Sequence, residues 1–318
     1  MDQPLPENLA QTLDAPCAPA PGRVCHSHWM GHLPFAFWLI RILRPRLLVE
    51  LGAYQGASFC AFCQEAARLG LDCEAYAIDT WQGDANMGSY PDSVYEDLAD
   101  YIKNHYQNFA CLIRSPFDQA VSQFEDGSID LLHIDGFHGR EAILADFATW
   151  LPKMSPCGVV LLHDIRARLP GYGGVAAWQE ISARFPSFAF NHGYGLGVVL
   201  TGNSAPEPLQ TLCALDEHQA ARFRCRFQGQ AAIYDALFGL EERRLRELAA
   251  AGRAAEELRQ ELAAERERAA SERAAAAGEK ATLQDALLQA SLKAQAYEGS
   301  VSWKITAPLR KFARFLRS

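Results

Sequence analysis

Short apolar runs ending in an acid or a glycine recur through the first 200 residues of the chain, and each is followed by a helix-length amphipathic stretch. Leu47–Val49 leads to Glu50, then Gly52 and Gly56, and an apolar helical run begins at Phe59. The form repeats at Ala75–Thr80 (AYAIDT), at 109–114 (FACLIR), at Ile129–Ile134 (IDLLHI) and at Val159–Leu162. Residues 94–106, 140–151 and 174–185 carry helical patterns between or after them. Apolar runs of strand length alternating with helices predict βαβ units and a parallel sheet buried on both faces. Phe188–Asn191 and Leu196–Leu200 flank His192-Gly193-Tyr194-Gly195, a glycine-rich reversal that predicts a closing antiparallel hairpin.

The flanks read differently. Residues 1–24, rich in Pro and Ala, form a loose lead-in. Residues 25–43 gather His26, His28 and His32 beside Trp29, Phe35, Phe37 and Trp38, and a helix there would be buried on most of its circumference. It serves either as a lid carrying a histidine into a ligand site or as an edge cover with His26 and His28 on its wet side. The edge cover is the expectation for those two, and His32 stays open. Residues 205–240 read as a helical linker region, with APEP as the connection. From 241 to 298 Ala, Glu, Arg, Leu and Gln dominate, and one position repeats every seven residues as Leu248, Ala255, Leu262, Ala269, Ala276, Leu283 and Ala290. Its companion seam, Ala251, Leu258, Glu265, Glu272 and Glu279, is poor, so the pattern predicts a long helix with a weak coiled-coil signature. It would pair with a second copy or stand as a solvated spacer. In residues 299–318 Trp303, Ile305, Leu309, Phe312, Phe315 and Leu316 recur near helical spacing among basic residues, as in helices that lie on an anionic membrane surface.

Composition sharpens this division. The 318 residues carry 30 Lys and Arg against 38 Asp and Glu, a net charge of −8. Residues 1–200 hold 12 basic and 22 acidic residues, whereas residues 299–318 hold 5 basic and none acidic. An acidic globular part is a poor partner for nucleic acid, whose phosphates need a basic face. Nine cysteines without a regular framework suit a reducing compartment. Cys60 and Cys63 read as two small core residues of one helix rather than a metal pair. No leader pattern opens the chain, and the run Leu33–Ile40 is too short to span a bilayer. The expected location is cytoplasmic, peripheral at the inner membrane face.

The acids at the strand ends carry the candidate chemistry, because open α/β sheets bind ligands at their carboxyl edge. Glu50 stands where a dinucleotide fingerprint would have its first glycine, and an acid there suits a positively charged ligand such as S-adenosylmethionine. Gly52 permits a tight turn, and Gly56 permits close approach of a ligand to the main chain. Asp79, followed by Thr80, sits where it can accept both ribose hydroxyls of an adenosine, or cap the next helix. Trp81 would lie on the adenine or pack at an edge; Ser115 would touch the adenine edge or cap a helix. Asp135 and Asp164 end neighbouring strands, each near a histidine, His138 and His163. They would ligate one hard divalent ion such as Mg, or orient a histidine acting as general base. His133 reads as a satisfied core histidine.

With those segments placed, the chain resembles class I S-adenosylmethionine-dependent methyltransferases. It is most similar to a small O-methyltransferase-like family associated with bacterial glycosyltransferases and surface-polysaccharide synthesis. HLPFAFWLI, LLVELGAYQG, AIDTWQGD, DGSIDLLHIDGFH, GVVLLHDI and HGYGLGVV carry the resemblance. It implies an α/β, Rossmann-like seven-stranded sheet with an antiparallel last strand in residues 25–204, followed by the long C-terminal helix or coiled coil. It assigns Glu50, Gly52 and Gly56 to the methionine end of the cofactor, Asp79 to the ribose, and Asp135 and Asp164 to a metal. The implied activity is methylation of a sugar hydroxyl on a surface glycan or its precursor, with His138 or His163 as base. A small-molecule O-methyltransferase and a non-catalytic assembly module are the alternatives. Tyr54 departs from the glycine common in the wider superfamily, and His163 stands where metal-dependent relatives carry a second acid.

Overall fold

The structure, a computed structural model, describes residues 4–13, 19–25, 27–84 and 88–315. It divides into two compact units, Met1–Arg244 and Leu245–Ser318.

In the first unit, helix α1 (Glu7–Leu13) precedes a 3-10 turn (His28–His32) and α2 (Leu33–Leu43). Then follow β1 (Leu47–Leu51), α3 (Ala57–Arg68), β2 (Glu74–Asp79), α4 (Ser93–His105), β3 (Ala110–Arg114), α5 (Phe117–Ala120), β4 (Ile129–Ile134), α6 (Arg140–Trp150), β5 (Met154–His163) and α7 (Gly174–Ser182). The hairpin β6 (Ser187–Phe190) and β7 (Leu196–Leu200) leads to α8 (Glu207–Cys213) and α9 (Glu217–Gly299). The seven strands form one sheet in the order β3-β2-β1-β4-β5-β7-β6. Strands β1 to β5 pair in parallel, β7 runs antiparallel to β5, and β6 antiparallel to β7. This is the expected Rossmann-like sheet with a reversed last strand. Its order turns back between β1 and β4, and a crevice opens at such a switch point beyond the strands' carboxyl ends.

The strands are predominantly apolar because helices cover both faces, and Glu50, Asp130 and His133 are buried polar exceptions. Every residue of β4 and β7 is buried. One core lies under α2, α3 and α4, built on Trp29, Phe35, Phe59, Phe62 and Leu98. The other lies under α6 and α7, built on Phe147, Trp150, Trp178 and Ile181. Helix α2 starts with Pro34 in its first turn, where a missing N–H costs nothing, and stops at Arg44 in the left-handed conformation. Cys60 and Cys63 face the core, 2% and 1% exposed.

Two expectations about the flanks need correction. The lead-in contains α1, with Leu9 fully buried and Asn8 donating to Thr211 Oγ1 of α8 at 2.8 Å. The region 205–240 is no separate linker. Leu209, Leu212, Phe223, Phe227 and Tyr234 are buried in the first core, at the recurring positions of helices lying on it.

The second unit is helical. From Leu245 to Gly299 every residue of α9 is exposed except Ala269, which is half-buried. Ser300 then breaks the helix, and its hydroxyl accepts from Trp303 N in capping α10 (Val301–Ile305). Helix α11 (Ala307–Phe315) follows, with Pro308 in its first turn. Arg310 lies 3.5 Å from the Trp303 ring centroid and donates to the Trp303 carbonyl. Leu309 and Phe315 are exposed. The tail is thus two short helices rather than one. Among the described residues no helix is long and apolar enough to cross a membrane.

Two glycines test how the sheet edge closes. Gly52 has φ +89°, and a Cβ there would sit 2.2 Å from the Asp135 carbonyl oxygen. Gly127 has φ +72° with nothing within 4 Å. Gly127→Ala should cost only left-handed strain, about 1–2 kcal/mol. Gly52→Ala should cost clearly more, because the β1 turn must also move off β4. Thermal unfolding of both full-length variants checks this, and equal losses would refute the close packing.

Candidate active site

Beyond Leu51 the chain turns at Gly52, whose N–H donates to Ile78 O at 2.9 Å. The next strand ends in Asp79, and this carboxylate ties the two loops together. Its Oδ2 accepts from Tyr54 N at 3.0 Å and its Oδ1 from Trp81 N at 2.8 Å. Tyr54 and Trp81 both take positive φ, +44° and +51°, a strained conformation that the shared carboxylate helps to hold. Asp79 and Thr80 line a cavity of about 1000 Å³ at the sheet's carboxyl edge, as do Gly52 and Tyr54.

Other expected cofactor contacts lie elsewhere. Trp81 is 1% exposed, donates from Nε1 to Tyr54 O and packs edge-on against Tyr95, so it supports the loop from beneath and offers no face to an adenine. Tyr54 and Tyr90, with ring centroids 4.7 Å apart, supply the aromatic surface instead. Gly56 begins α3 at φ +80°, and its missing Cβ makes room for Leu98 at 2.4 Å rather than for a ligand. Ser115 donates its N–H to Asp79 O and turns its hydroxyl to Pro116 O; Pro116 and Phe117 line the cavity in its place.

Glu50 is the largest correction. It is fully buried and absent from the cavity wall. Ser58 donates to its Oε1 and His133 Nδ1 lies 2.9 Å from its Oε2. The Trp29 indole N–H, which can only donate, is 3.0 Å from His133 Nε2. His133 therefore carries its proton on Nδ1 and gives it to Glu50. Burial pushes the Glu50 pKa up, and His133 and Ser58 oppose that rise. Glu50 thus braces the start of α3 from inside the core, and His133 is the satisfied core histidine expected.

The two acids at the ends of β4 and β5 do come together, around His163. Its Nδ1 lies 3.1 Å from Asp135 Oδ1 and 3.2 Å from Asp164 Oδ1, and its Nε2 lies 3.1 Å from Gly193 O. A carbonyl only accepts, so Nε2 bears hydrogen, and a second proton on Nδ1 suits the two carboxylates. Burial works against this charge, but Asp135 and then Asp164 outweigh it and hold the His163 pKa up at about 9. Asp135 also resists burial and goes down to about 2, with His163 as the chief lowering influence. Burial pushes Asp164 up, against the pull of His163. His163 is therefore an imidazolium counter-charge at neutral pH, and the expectation that it serves as base is corrected.

His138 is placed differently. Its Nδ1 is 3.2 Å from Asp164 Oδ2 and its ring stacks on Tyr172 at 4.4 Å. Gly173 N donates to His138 O at 2.7 Å, and a Cβ on Gly173 would meet Arg140 N at 2.2 Å. That contact holds the loop after β5 against the start of α6, so Tyr172 reaches the histidine. Asp135, His138 and Asp164 each present a ligand atom within 4.8 Å of the others, a set that fits a divalent cation.

The histidines of the first helical turn separate. His26 lies outside the described residues. His28, expected on the wet side, lines the cavity with its ring 4.3 Å from Tyr194. His32 is fully buried with Nε2 3.2 Å from Gly193 O; burial, then the neighbouring His163 and His192, drive its pKa well below the usual value. Among the described residues no Lys or Arg lines the cavity, while Asp79, Asp118, Asp135, Asp146 and Asp164 do. Tyr54, Tyr90, Phe117, Tyr172 and Tyr194 are wall residues that sequence reasoning missed. Only their place in loops after strand ends could have signalled them.

Residues 49–165 match a protein-family model described as a methyltransferase domain. An uncharacterized protein, y4gI, of Sinorhizobium fredii is 42% identical over 187 residues, which is 59% of this chain and 20% of that protein. The chain thus spans a fifth of the length of this curated relative. Among solved structures, the O-methyltransferase TomG from Streptomyces achromogenes, in complex with SAM, is 15% identical, with 62% of this chain and 91% of that one covered and a TM-score of 0.43. The SAH-bound methyltransferase PaMTH1 from Podospora anserina is 16% identical, with 63% and 89% covered and a TM-score of 0.43.

One acid on the wall gives a direct pH test. Burial, and then Asp118, push the Asp146 pKa up to about 6 from its ordinary 3.8. A raised carboxyl pKa favours the protonated form in the fold, so this group costs no stability at low pH and increasingly more as pH rises from about 4 to 6. Asp146→Asn should therefore raise stability at pH 8 by roughly 1–3 kcal/mol and hardly at all at pH 4. Thermal melts of variant and parent at both pH values check it; an equal gain at both would refute the shift.

Proposed function

Because residues 49–165 carry a methyltransferase domain, we propose that the chain methylates a hydroxyl oxygen at the expense of S-adenosylmethionine. We propose further that the acceptor is a sugar of a surface glycan or its precursor. The observation that supports this reading best is the single cavity wall shared by Asp79 and the His138–Asp164 pair. The residues fit the cofactor. Asp79 already has each oxygen aligned by one backbone N–H, and each keeps accepting capacity for a ribose hydroxyl. Tyr54, Tyr90 and Phe117 offer flat faces, and a wall with five Asp and, among the described residues, no Lys or Arg suits a ligand with a positive centre. When bound, S-adenosylmethionine supplies an already activated methyl group.

What this chain's own residues contribute is alignment, exclusion of water and proton removal. A hydroxyl is a weak nucleophile, so it needs a base within hydrogen-bond reach. With Nδ1–H directed at Asp164, His138 presents Nε2 as the atom that takes the proton. Asp164 then orients the ring and stabilises its charged form, while His163 balances the two carboxylates. Holding the reactants in line removes up to roughly 7–11 kcal/mol of the barrier in the best cases. Phe137 and Leu169, about two-fifths exposed at the cavity, and Tyr172 beside them suit the apolar face of a sugar ring. Among the described residues no Lys or Arg lines the cavity, which supports an acceptor whose bound part carries no phosphate, since phosphate recognition uses Arg or Lys. The same wall would take a neutral aromatic hydroxyl, which is the small-molecule alternative.

The set Asp135, His138 and Asp164 supports a second reading, in which a divalent cation polarises the hydroxyl and His138 is a ligand. Its nitrogen and oxygen mixture suits manganese or iron better than magnesium. For the place of action we propose the inner membrane face, a reading supported by the basic tail, whose exposed apolar residues lie among Lys and Arg.

Labelled-methyl transfer to neutral glycan and phenolic acceptors, with calorimetry on the cofactor, tests the assignment. Asp79→Ala should weaken cofactor binding tenfold or more. His138→Ala should leave binding within about twofold and lower kcat about 10²–10⁴-fold. Chelator should change nothing if His138 is the base; loss of activity restored by manganese would establish the metal reading. No cofactor binding by the parent chain would leave only a non-catalytic assembly module.

A further inference from the structure

The exposed length of α9 carries an order that a spacer does not need. From Leu245 to Gly299 this helix is about 80 Å long, and all its residues but Ala269 are exposed. Isolated helices draw little stability from propensity alone, and most rely on a packed face. Leu248, Ala255, Leu262, Ala269, Ala276, Leu283 and Ala290 recur every seven residues and make one narrow apolar row. Residues three and four positions further on flank such a row on opposite sides. On one side lie Glu265, Glu272 and Glu279; on the other lie Arg259, Arg266, Arg273 and Lys280. One helix therefore shows an apolar stripe with an acidic edge and a basic edge. Within the chain, Arg259 reaches Glu256 at 3.5 Å, an exposed pair three residues apart of little strength.

The signs of the two edges decide what can cover the stripe. When two copies pair in parallel, a two-fold axis along the helices sets the left edge of one against the right edge of the other. Acid then faces base along both flanks. When they pair antiparallel, left meets left, and Glu faces Glu while Arg faces Arg. Charges at these flanking positions set partner and orientation in helical pairs. We propose that residues 245–299 form a parallel, in-register homodimer along this row, with the acidic edge of each copy on the basic edge of the other. The small alanines let the helices approach closely, and Leu248, Leu262 and Leu283 supply the larger contacts. Parallel pairing also puts two basic tails, 299–318, at one end, which would raise their joint avidity for an anionic surface. The inference stands apart from the proposed activity, since it uses no residue of the cavity.

Two full-length variants test it by sedimentation. One reverses the acidic edge (Glu265→Arg, Glu272→Arg, Glu279→Arg), and the other reverses the basic edge (Arg259→Glu, Arg266→Glu, Arg273→Glu, Lys280→Glu). The parent should be dimeric at micromolar concentration, each variant alone should dimerise at least tenfold more weakly, and an equimolar mixture should recover the dimer. For direction, Ala290→Cys, at the end of the row, should give a disulfide-linked dimer on mild oxidation that the parent chain, with its own cysteines, does not give, because only parallel pairing sets residue 290 against its own copy. Helical content by circular dichroism verifies that the variants fold. A parent that stays monomeric at the highest concentration, dimers indifferent to both reversals, or a dimer in which Ala290→Cys yields no new cross-link would each overturn the proposal.

Discussion

An imidazolium held between two carboxylates joins the parts of this site. His163 ends β5, Asp135 follows β4 and Asp164 follows β5, while the carbonyl of Gly193 in the closing hairpin accepts from the same ring. Two acids so close in a buried place would repel each other or take up a proton. The cation between them lets Asp135 stay ionised and draws the hairpin turn, two parallel strands and the cavity floor to one point. The cost is a charge removed from water, which only its close partners offset. Asp164 takes positive φ at this junction, and Gly174 admits its carbonyl oxygen where a Cβ would be 2.4 Å away. The backbone bends to bring the acid to His138.

The remaining acids serve the backbone before they serve a ligand. Asp79 fixes two positive-φ aromatic residues through their N–H groups, and its outward side then belongs to the cavity. Glu50 is wholly internal, one member of a chain running from Ser58 through His133 to Trp29. Asp130 holds Arg46 N and Ser155 beneath the other end of the sheet. A parallel sheet covered on both faces leaves few places for charge, and the acids within its strands are met by donors, Glu50 by Ser58 and His133 and Asp130 by Arg46 N and Ser155.

The later two-thirds of α9, from Leu245, follows another logic, since its apolar positions are too few for a core of its own. The first 28 residues of the same helix, Glu217–Arg244, include a buried stripe on the sheet's first core that runs from Ala220 to Tyr234.

What the chain declared by itself was the alternation of apolar runs and helices, the reversed hairpin and the presence of an acid at or next to the ends of β1, β2, β4 and β5. These depend on local periodicity and turn chemistry, which sequence displays directly. It also showed the core role of His133 and of the Cys60 and Cys63 pair. Tertiary structure alone decided which acid meets the cavity. Glu50 lies opposite His133 in the β1–β4 register, and β1 and β4 are 83 residues apart in the chain, so no local pattern tells that the two share a face. Spacing left Trp81 between an adenine face and edge packing, and its positive-φ turn decides for the edge; Ser115 turns its hydroxyl to Pro116 O. His163 and His138 look alike as letters beside an acid, and only the structure shows that one lies between two carboxylates and a carbonyl while the other meets a single carboxylate and stacks on Tyr172. Local order is written in neighbours along the chain; charge state is written in neighbours across it.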